Sequence, residues 1–340
     1  MEYLKKTLSS LCSLMTLSGF EKRSKRELFA IAEELFDESY EDSFGNFVFV
    51  KHALDKDAPR LMIDAHFDRV GLMVTGIKDG GFVSVVNVGG LDTRILPSEE
   101  VVIYGNKEVY GIISSIPPHL KKGEDAHSAP KMSELYVDTG YSKEELEKIV
   151  SIGDPIIFKG ELDELIGDRV CAPSLDNKAC VCAALDAIRR TDASRLRYNV
   201  YVTVSAQEET GKCGAALCAY KIKPDIAIIT DVNFGASEGD VGFDTIECGE
   251  GASVDVSALV DRRLTRSVIK LLTDKGLKHQ IIAESSSTYT NNELISVTGT
   301  GVPTVLMSVP LRFMHTPVEL VDLKDIRSLS DALLTVMEEL

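Results

Sequence analysis

In the C-terminal half of the chain, segments in which hydrophobic residues recur at helical spacing alternate with short hydrophobic runs typical of strands. Apolar residues recur at helical spacing in three segments, ACVCAALDAIRR, TRSVIKLLTDKG and DLKDIRSLSDALLTVMEEL. Between them lie short apolar runs with the composition of strands, RYNVYVTVSA, IAIITDV and VPTVLMSV. Helices that alternate with buried strands are typical of an α/β fold, so we predict a central mixed β-sheet that is flanked by helices.

The N-terminal half begins in the same way and then changes character. A helical segment, SKRELFAIAEELF, precedes two strand-like runs, NFVFVKHA and APRLMIDAH. Short β-branched runs then follow one another through residues 70–163, where the first clear helix start is a capping box of Ser142 and Glu145. We therefore predict an α/β domain of residues 1–69 and 164–340 with a β-rich domain inserted at residues 70–163. Two consecutive domains are the alternative, disfavoured because the early strands and the last helices have the character of one α/β layer.

The composition limits the classes of protein and partner. The chain has 340 residues, 44% of them hydrophobic, and no apolar stretch has the length of a membrane-spanning helix. A formal net charge of −16 argues against nucleic acid and membrane partners, because both need a positive face. Seven scattered cysteines without a disulfide or zinc-binding spacing fit reduced thiols, so we expect a cytoplasmic protein. The N-terminus is interpreted as a packed helix rather than a signal peptide.

Acidic and imidazole side chains stand at the ends of the predicted strands or in the loops after them. The set comprises His66 and Asp68 in MIDAHFD, Asp176 in APSLDN, Glu208 and Glu209 in SAQEETG, Asp231 in IAIITDV, and His315 and Glu319 in VPLRFMHTPVE. Ligands gather beyond the carboxyl ends of the strands in an open α/β sheet, so these residues are expected to converge. Taken one at a time, these residues also have purely structural interpretations: Asp176 could be a helix N-cap, and Glu208 and Glu209 could form a solvated strand end.

Imidazole and carboxylate groups together suit Zn²⁺ or a neighbouring divalent transition metal. Two histidines and three or four carboxylates exceed what one tetrahedral ion needs, and they match two ions about 3.5–4 Å apart that share a bridging carboxylate. In the pair Glu208 and Glu209, one acid can bind an ion while its neighbour takes a proton from a water shared by the ions. Because successive strand residues point to opposite faces, we expect the strand to break at Thr210–Gly211.

The ordered set of segments resembles the tetrahedral (TET) aminopeptidase family, which includes glutamyl and deblocking aminopeptidases and some members labelled endoglucanase. The resemblance covers almost the full chain, through DAHFDRVGLMV, ELYVDTGYSKEEL, IGDPIIF, PSLDNKACVCAAL, QEETGKCGA, ITDV and SVPLRFMHTPVEL. It implies that residues 1–69 and 164–340 form a catalytic domain and that residues 70–163 form a small β-barrel-like domain for assembly or dimerisation.

The resemblance also implies a role for each matching residue. One ion would be held by His66, Asp176 and Asp231, and the other by Asp176, Glu209 and His315. Glu208 matches the general base, and Asp68 matches the acid that orients His66. The cofactors implied are two divalent metal ions per subunit, Zn²⁺ with Co²⁺ or Mn²⁺ as alternatives.

The function implied is that of a metal-dependent aminopeptidase that hydrolyses N-terminal residues from small peptides. Its assembly would be a homo-oligomer, a tetrahedral dodecamer. The alternative is a catalytically quiet metal- or peptide-binding member, motivated by Arg69 and Asn291, which depart from the family pattern at positions that are not ligands. Arg69 would bias a pocket or form a surface salt bridge, and Asn291 would affect substrate positioning or side-chain preference. Glycoside hydrolysis is a remote alternative, because it needs a separated carboxylic acid pair without obligatory metals.

Overall fold

The computed structural model describes residues 1–114, 116–117, 120, 128–239, 244–285 and 287–340. The helices of these residues are α1 (Glu2–Cys12), α2 (Lys25–Ala32), α3 (Lys143–Leu146), α4 (Leu175–Arg190), α5 (Glu208–Gly211), α6 (Cys213–Ile222), α7 (Arg262–Asp274), α8 (Asn292–Ile295) and α9 (Leu323–Glu339). The strands are β1 (Glu38–Glu41), β2 (Phe47–Lys51), β3 (Arg60–His66), β4 (Gly71–Ile77), β5 (Val83–Val88), β6 (Glu100–Tyr104), β7 (Glu108–Ser114), β8 (Tyr136–Asp138), β9 (Pro155–Phe158), β10 (Asp163–Glu164), β11 (Arg169–Ala172), β12 (Asn199–Ser205), β13 (Ile226–Phe234), β14 (Ser253–Val256), β15 (Gln280–Ala283), β16 (Thr304–Leu311) and β17 (Glu319–Asp322).

An eight-stranded sheet forms the centre of the α/β part, in the order β1-β2-β12-β3-β13-β16-β14-β15. Its four central strands, β12, β3, β13 and β16, are parallel, whereas the pairs β1–β2, β2–β12 and β14–β16 are antiparallel. The predicted mixed sheet is confirmed. Because the four central strands run in one direction, their carboxyl ends meet at one edge of the sheet.

Helices cover both faces of this sheet, since its strand residues alternate between two apolar clusters. Leu61 and Ile63 of β3 pack into the larger cluster, which includes residues of α1, α4 and α9. Met62, between them, packs into a smaller cluster with residues of α6. Helix α4 is buried from its first residue to Ile188, so its first turn is held firmly against the sheet.

The strands between Gly71 and Phe158 form a closed antiparallel barrel in the order β4-β5-β8-β7-β6-β9. The barrel has an apolar core of its own, which includes Leu72, Ile103 and Ile156. At Gly71, where the chain enters the barrel, a Cβ atom would lie 2.7 Å from the carbonyl oxygen of Ile156, so the close approach of β4 and β9 requires glycine. The expected barrel-like element is present, while its boundaries at residues 70 and 163 and its role in assembly stay predictions.

Several local features agree with the sequence patterns. The N-terminal segment is a packed helix, α1, with Leu4, Leu8 and Leu11 buried. Ser142 and Glu145 form the predicted capping box at the start of α3. All seven cysteines are free thiols. In the part of the chain that the structure describes, no helix is both long enough and apolar enough to cross a membrane.

Candidate metal centre

The candidate site begins where neighbouring parallel strands end. His66 closes β3 and is 2% exposed, and Asp231 lies near the end of β13. The Nδ1 atom of His66 lies 3.2 Å from the backbone oxygen of Asp68, so a proton on Nδ1 would be donated to that oxygen and Nε2 would be available to a metal ion. Nε2 lies 3.0 Å from Oδ1 of Asp176 and 3.6 Å from Oδ1 of Asp231.

Asp176 stands in the first turn of α4 and faces both histidines. Its Oδ1 is 3.0 Å from Nε2 of His66, and its Oδ2 is 3.5 Å from Nε2 of His315. Its backbone N–H donates to Oε2 of Glu319 at 3.0 Å. Among the described residues Oδ1 has no hydrogen-bond partner, and Ser174 occupies the N-cap position of α4. The interpretation of Asp176 as a helix N-cap is therefore wrong, because its two oxygens face two imidazoles instead.

His315 reaches the site from the loop between β16 and β17. Its Nε2 lies 3.4 Å from Oε2 of Glu209. Its Nδ1 lies 2.7 Å from the carbonyl oxygen of Gly90, in the barrel loop between β5 and β6. Its backbone N–H donates to Oε1 of Glu319 at 2.8 Å. The barrel thus orients this imidazole so that Nε2 faces the carboxylates.

A change of backbone direction brings both acids of SAQEETG into the site. After β12, Gln207 adopts a φ of 58°, and the single turn of α5 begins at Glu208. Consecutive residues in a helical turn lie about 100° apart, compared with about 180° in a strand, so Glu208 and Glu209 both face the same cavity. The break predicted at Thr210–Gly211 is therefore wrong, since the turn precedes the pair. The reading as a solvated strand end is also wrong, because both side chains are buried.

Two groups of side chains have the separations of metal ligands. One group is His66, Asp176 and Asp231, and the other is Asp176, Glu209 and His315, so that Asp176 is common to both. Their nitrogen–oxygen contacts measure 3.0 to 3.6 Å. Ligands placed tetrahedrally at 2.0–2.2 Å from Zn²⁺ would be about 3.3–3.6 Å apart, so these residues fit a divalent ion in each group. Buried oxygens of Asp176, Glu208 and Glu209 without a hydrogen-bond partner in the described residues also fit.

The site concentrates negative charge away from water. Burial raises the pKa of Glu208 to about 8, and Asp231 adds to that effect while His66 opposes it. Burial alone would lower the pKa of His315, but the carboxylate of Asp176 and other acids raise it to about 10. Buried charges of one sign are costly unless opposite charges accompany them, and divalent cations would supply those charges.

Three buried charged residues support the site from behind, and of these the sequence pointed only to Glu319, without a specific role. Glu319 holds the backbone of both Asp176 and His315 through the two bonds described above. Lys178 is fully buried and donates to the carbonyl oxygen of Phe67, next to His66. Glu21 accepts a hydrogen bond from the N–H of Gln207 at 2.9 Å, across 186 positions of sequence. Glu319 follows His315 by four residues, whereas no local signal distinguishes Glu21.

Arg69 and Asn291, the departures from the family pattern that motivate a catalytically quiet member, are both buried. Arg69 is 3% exposed, so the reading as a surface salt bridge is wrong. Asn291 is 2% exposed, and its Nδ2 donates to Oδ2 of Asp64 at 2.9 Å and to Oγ of Ser205 at 3.1 Å. Neither residue is among the described residues that line the cavity. Asn291 therefore contacts the strands β3 and β12 beneath the site.

A cavity of about 500 Å³ opens over the two ligand groups. From there it extends across the sheet past Ser308 and Asp255 to Glu284. Its apolar lining includes Ile282 and Met314. A cavity of this size, with apolar walls and a few converging polar groups, is typical of a site for a small ligand or the end of a peptide.

The fold and the site together fit the class of metal-dependent hydrolases, because histidines and carboxylates converge at the carboxyl ends of parallel strands. The model of the M42 glutamyl aminopeptidase family matches residues 45–331. The chain belongs to this family and is a peptide hydrolase of the aminopeptidase class. The resemblance inferred from the sequence is confirmed.

Individual relatives agree along nearly the whole chain. The lysyl aminopeptidase of Pyrococcus furiosus is 30% identical over 332 residues, which cover 95% of this chain and 94% of that protein. An aminopeptidase from the archaeon Desulfurococcus kamchatkensis has a similar structure, with a TM-score of 0.92, 28% identity, and coverage of 100% of this chain and 95% of that one. The TET1 peptidase of Pyrococcus horikoshii, which can assemble into a tetrahedron or a large octahedral shell, matches with a TM-score of 0.86 and 28% identity, over 99% of this chain and 100% of that one.

Proposed function

We propose that this protein removes N-terminal residues from short peptides with the help of two divalent metal ions per chain. His66, Asp176 and Asp231 would hold one ion, and Asp176, Glu209 and His315 would hold the other. The observation that carries the proposal is the position of Asp176, which presents one oxygen to each imidazole at 3.0 and 3.5 Å. A carboxylate with that geometry suits a bridge between two ions.

The chemistry follows from the carboxylate that belongs to neither ligand group. Two bound cations would lower the pKa of a water and polarise the scissile carbonyl. Glu208 is buried beside the ligands, and its Oε1 has no hydrogen-bond partner in the described part of the chain, so it is available to a substrate or a water. As general base it would take a proton from the attacking water and deliver it to the leaving amine. The carboxylate of Asp68, which accepts a hydrogen bond from the N–H of Glu208 and lies 3.5 Å from Nδ1 of His66, would hold both residues in position for that transfer.

The donor set favours Zn²⁺, with Co²⁺ and Mn²⁺ as alternatives, because each group combines one imidazole with two carboxylates. We expect protein treated with a chelator to lose the release of N-terminal residues from a panel of short peptides. Zn²⁺, Co²⁺ or Mn²⁺ should restore that release, with about two ions bound per chain by elemental analysis. Peptides with an acetylated N-terminus serve as the control and should stay intact. Metal-loaded protein that leaves every peptide with a free N-terminus uncut would contradict the proposal.

The assembly belongs to the proposal as well. We expect a homo-oligomer, a tetrahedral dodecamer built with the barrel of residues 70–163, because similar chains such as the TET1 peptidase assemble into closed shells. Sedimentation of the full chain measures this directly, and a stable monomer would contradict it. We also propose that the protein works in the cytoplasm, which fractionation of the source cells tests.

The alternative functions have little support. A catalytically quiet member was motivated by Arg69 and Asn291, and neither lies among the described residues that line the cavity. Glycoside hydrolysis needs a separated pair of carboxylic acids, whereas Asp176, Asp231 and Glu209 belong to groups that could hold metal ions, which supports the metal-dependent reaction. The family model is named for glutamyl substrates and one relative for lysyl substrates, so the family alone does not set the first residue of the substrate.

A further inference from the structure

The cavity continues beyond the ligand groups along one face of the sheet. Asp231 of β13 pairs with Ser308 of β16, and Ser308 pairs with Ser253 of β14. Paired residues, and residues two apart in one strand, lie on the same face, so Asp255 shares the face of Asp231. Glu284 follows β15 at the far side, where its backbone N–H donates to the carbonyl oxygen of Val256.

Asp255 is a buried carboxylate whose hydrogen-bond partners among the described residues are neutral groups. It is fully buried, and its oxygens accept hydrogen bonds from the hydroxyl groups of Ser253 and Ser308, the latter at 2.5 Å. The amide of Asn233 donates to Oε1 of Glu284 at 2.8 Å and lies 3.5 Å from Oδ2 of Asp255. Among the described residues neither carboxylate has an ion pair. Burial raises the pKa of Asp255 to about 7, and the charge of Glu284 adds to that effect against the hydroxyl groups.

The lining of the cavity supplies no cation for these two acids. Its described lining residues include no lysine or arginine, and the two histidines among them face Asp176. Lys212, which lies over the ring of the lining residue Tyr289, is paired with Glu293 at 3.0 Å. Buried carboxylates are stabilised when a cation joins them, so a cationic ligand would suit this end of the cavity.

The same cavity contains independent signs that a ligand enters it. Oε1 of Glu208, which belongs to neither ligand group, lacks a hydrogen-bond partner in the described residues, although Glu208 is more than nine-tenths buried. On β16, the strand between β13 and β14, Leu306 lines the cavity and pairs with Asp255, and on the other side Ile282 of β15 also lines the cavity and pairs with Asp255. Asp255 is two strands away from Asp231, which is about 10 Å across the sheet. A side chain with a long aliphatic stem and a cationic head would fit a cavity that combines an apolar lining with the carboxylates of Asp255 and Glu284.

We propose that this part of the cavity receives the first side chain of the substrate and that Asp255 and Glu284 select a cationic one, so that the enzyme prefers an N-terminal lysine or arginine. The inference rests on the proposed function, since it concerns the same site. A glutamate at that position would meet two carboxylates without a described cation, so acidic first residues are disfavoured. Norleucine has the aliphatic stem of lysine without the ammonium group, and it isolates the contribution of the charge.

The test compares reporter substrates that begin with lysine, arginine, norleucine and glutamate, cleaved by the metal-loaded full-length protein. We expect kcat/KM for lysine and arginine to exceed that for norleucine by at least about tenfold, with glutamate lowest. Glu284→Gln and Asp255→Asn should each reduce the lysine-to-norleucine ratio severalfold. Asp255 is buried, so its variant can fail to fold. Glu284 is only partly buried, so Glu284→Gln should fold and can decide the test by itself. Glu250→Gln, at an exposed salt bridge with Lys278, is the matched control and should leave the ratio unchanged.

A wild-type preference for norleucine or glutamate over lysine would overturn the inference, as would ratios that stay the same in both pocket variants. Binding of free lysine and free norleucine, measured by calorimetry on the metal-loaded protein, separates this inference from the proposed function. Lysine that binds about tenfold more tightly than norleucine, and loses that advantage in Glu284→Gln, supports the pocket even if no reporter is cleaved. Absence of cleavage would then overturn the aminopeptidase proposal alone, whereas equal binding of the two amino acids overturns the pocket.

Discussion

Oδ1 of Asp68 accepts a hydrogen bond from the backbone N–H of Glu208 at 3.0 Å. Its Oδ2 accepts an equivalent bond from Glu209, also at 3.0 Å, and Oδ1 lies 3.5 Å from Nδ1 of His66. One fully buried carboxylate therefore joins the loop after β3 to the turn after β12. Because both proposed roles of the acid pair depend on where that turn sits, Asp68 acts on the site through backbone position.

Asp68→Asn should weaken metal binding and activity together. The amide can accept at one oxygen only, and its NH₂ group would face one of the two backbone N–H groups that Asp68 now satisfies. Loss of such a supporting contact typically costs about 10–100-fold in metal affinity or activity. Metal retention against a competing chelator and kcat/KM on a peptide substrate measure the effect. Asp192→Asn, at an exposed cap of a short 3₁₀ turn, is the control, and equal behaviour of the two variants would contradict this role.

Substitution of Glu208 or of Glu209 by the isosteric glutamine should distinguish the proposed roles of these two neighbouring acids. Glu208→Gln removes the proposed base and should lower kcat by about 10²–10⁴-fold while both metal ions stay bound. Glu209→Gln removes a member of the second ligand group and should lower the number of bound ions. Elemental analysis and kcat, measured on the same preparations, distinguish these results. Exchange of the two outcomes, with Glu208→Gln losing metal and Glu209→Gln keeping it, would reverse the proposed roles.

Glu319→Gln should loosen both Asp176 and His315. The carboxylate of Glu319 accepts the backbone N–H groups of both residues, at 3.0 and 2.8 Å, whereas glutamine would direct an NH₂ group at one of them. A loss of about 10–100-fold in metal affinity is expected. Titration of the metal-free protein with Zn²⁺ measures it, with the exposed Glu164→Gln as the control. Wild-type affinity in Glu319→Gln would show that these backbone bonds do not set the ligand positions.

Asp186 should make the contact between α4 and α9 sensitive to acid. Burial alone would raise the pKa of Asp186, but the hydroxyl of Ser330 and the guanidinium groups around it, including that of Arg327, hold the pKa below its usual value. A lowered pKa in the folded state means that the stabilisation is present above the unfolded-state pKa and is lost as pH falls through the folded-state pKa.

Asp186→Asn should therefore lower the free energy of unfolding by about 1.5–3 kcal/mol at neutral pH. The difference from wild type should shrink below pH of about 4, where the unfolded-state carboxyl takes up its proton. Tm values across a pH series measure this difference. Asp331→Asn, at the partly exposed salt bridge with Arg190, is the matched control and should cost no more than about 1 kcal/mol. A difference that stays constant from pH 7 to pH 3 would contradict the assignment.

Periodicity and residue type were enough to predict the layers of the fold and the positions of the chemical groups. Leu61 and Ile63 alternate with Met62, and this period of two places a strand between two apolar clusters whichever helices cover them. His66 and Asp231 come shortly after the apolar runs LMI and IAII, so a position near the ends of buried strands was readable from local sequence. The family pattern then gave each residue an expected role.

The relations across strands and loops were decided only by the tertiary structure. Local sequence placed the turn at Thr210–Gly211, but Gln207 bends the chain earlier, where Glu21 holds its N–H from 186 positions away. A surface salt bridge was one of two readings of Arg69, and the residue is buried, because its exposure depends on what packs around it. Asp255 carried no signal of its own, since its place on the same face as Asp231, two strands away, arises from the pairing of three strands. A sequence determines which groups a chain carries and how they alternate locally, whereas the distance between two groups depends on all of the packing between them.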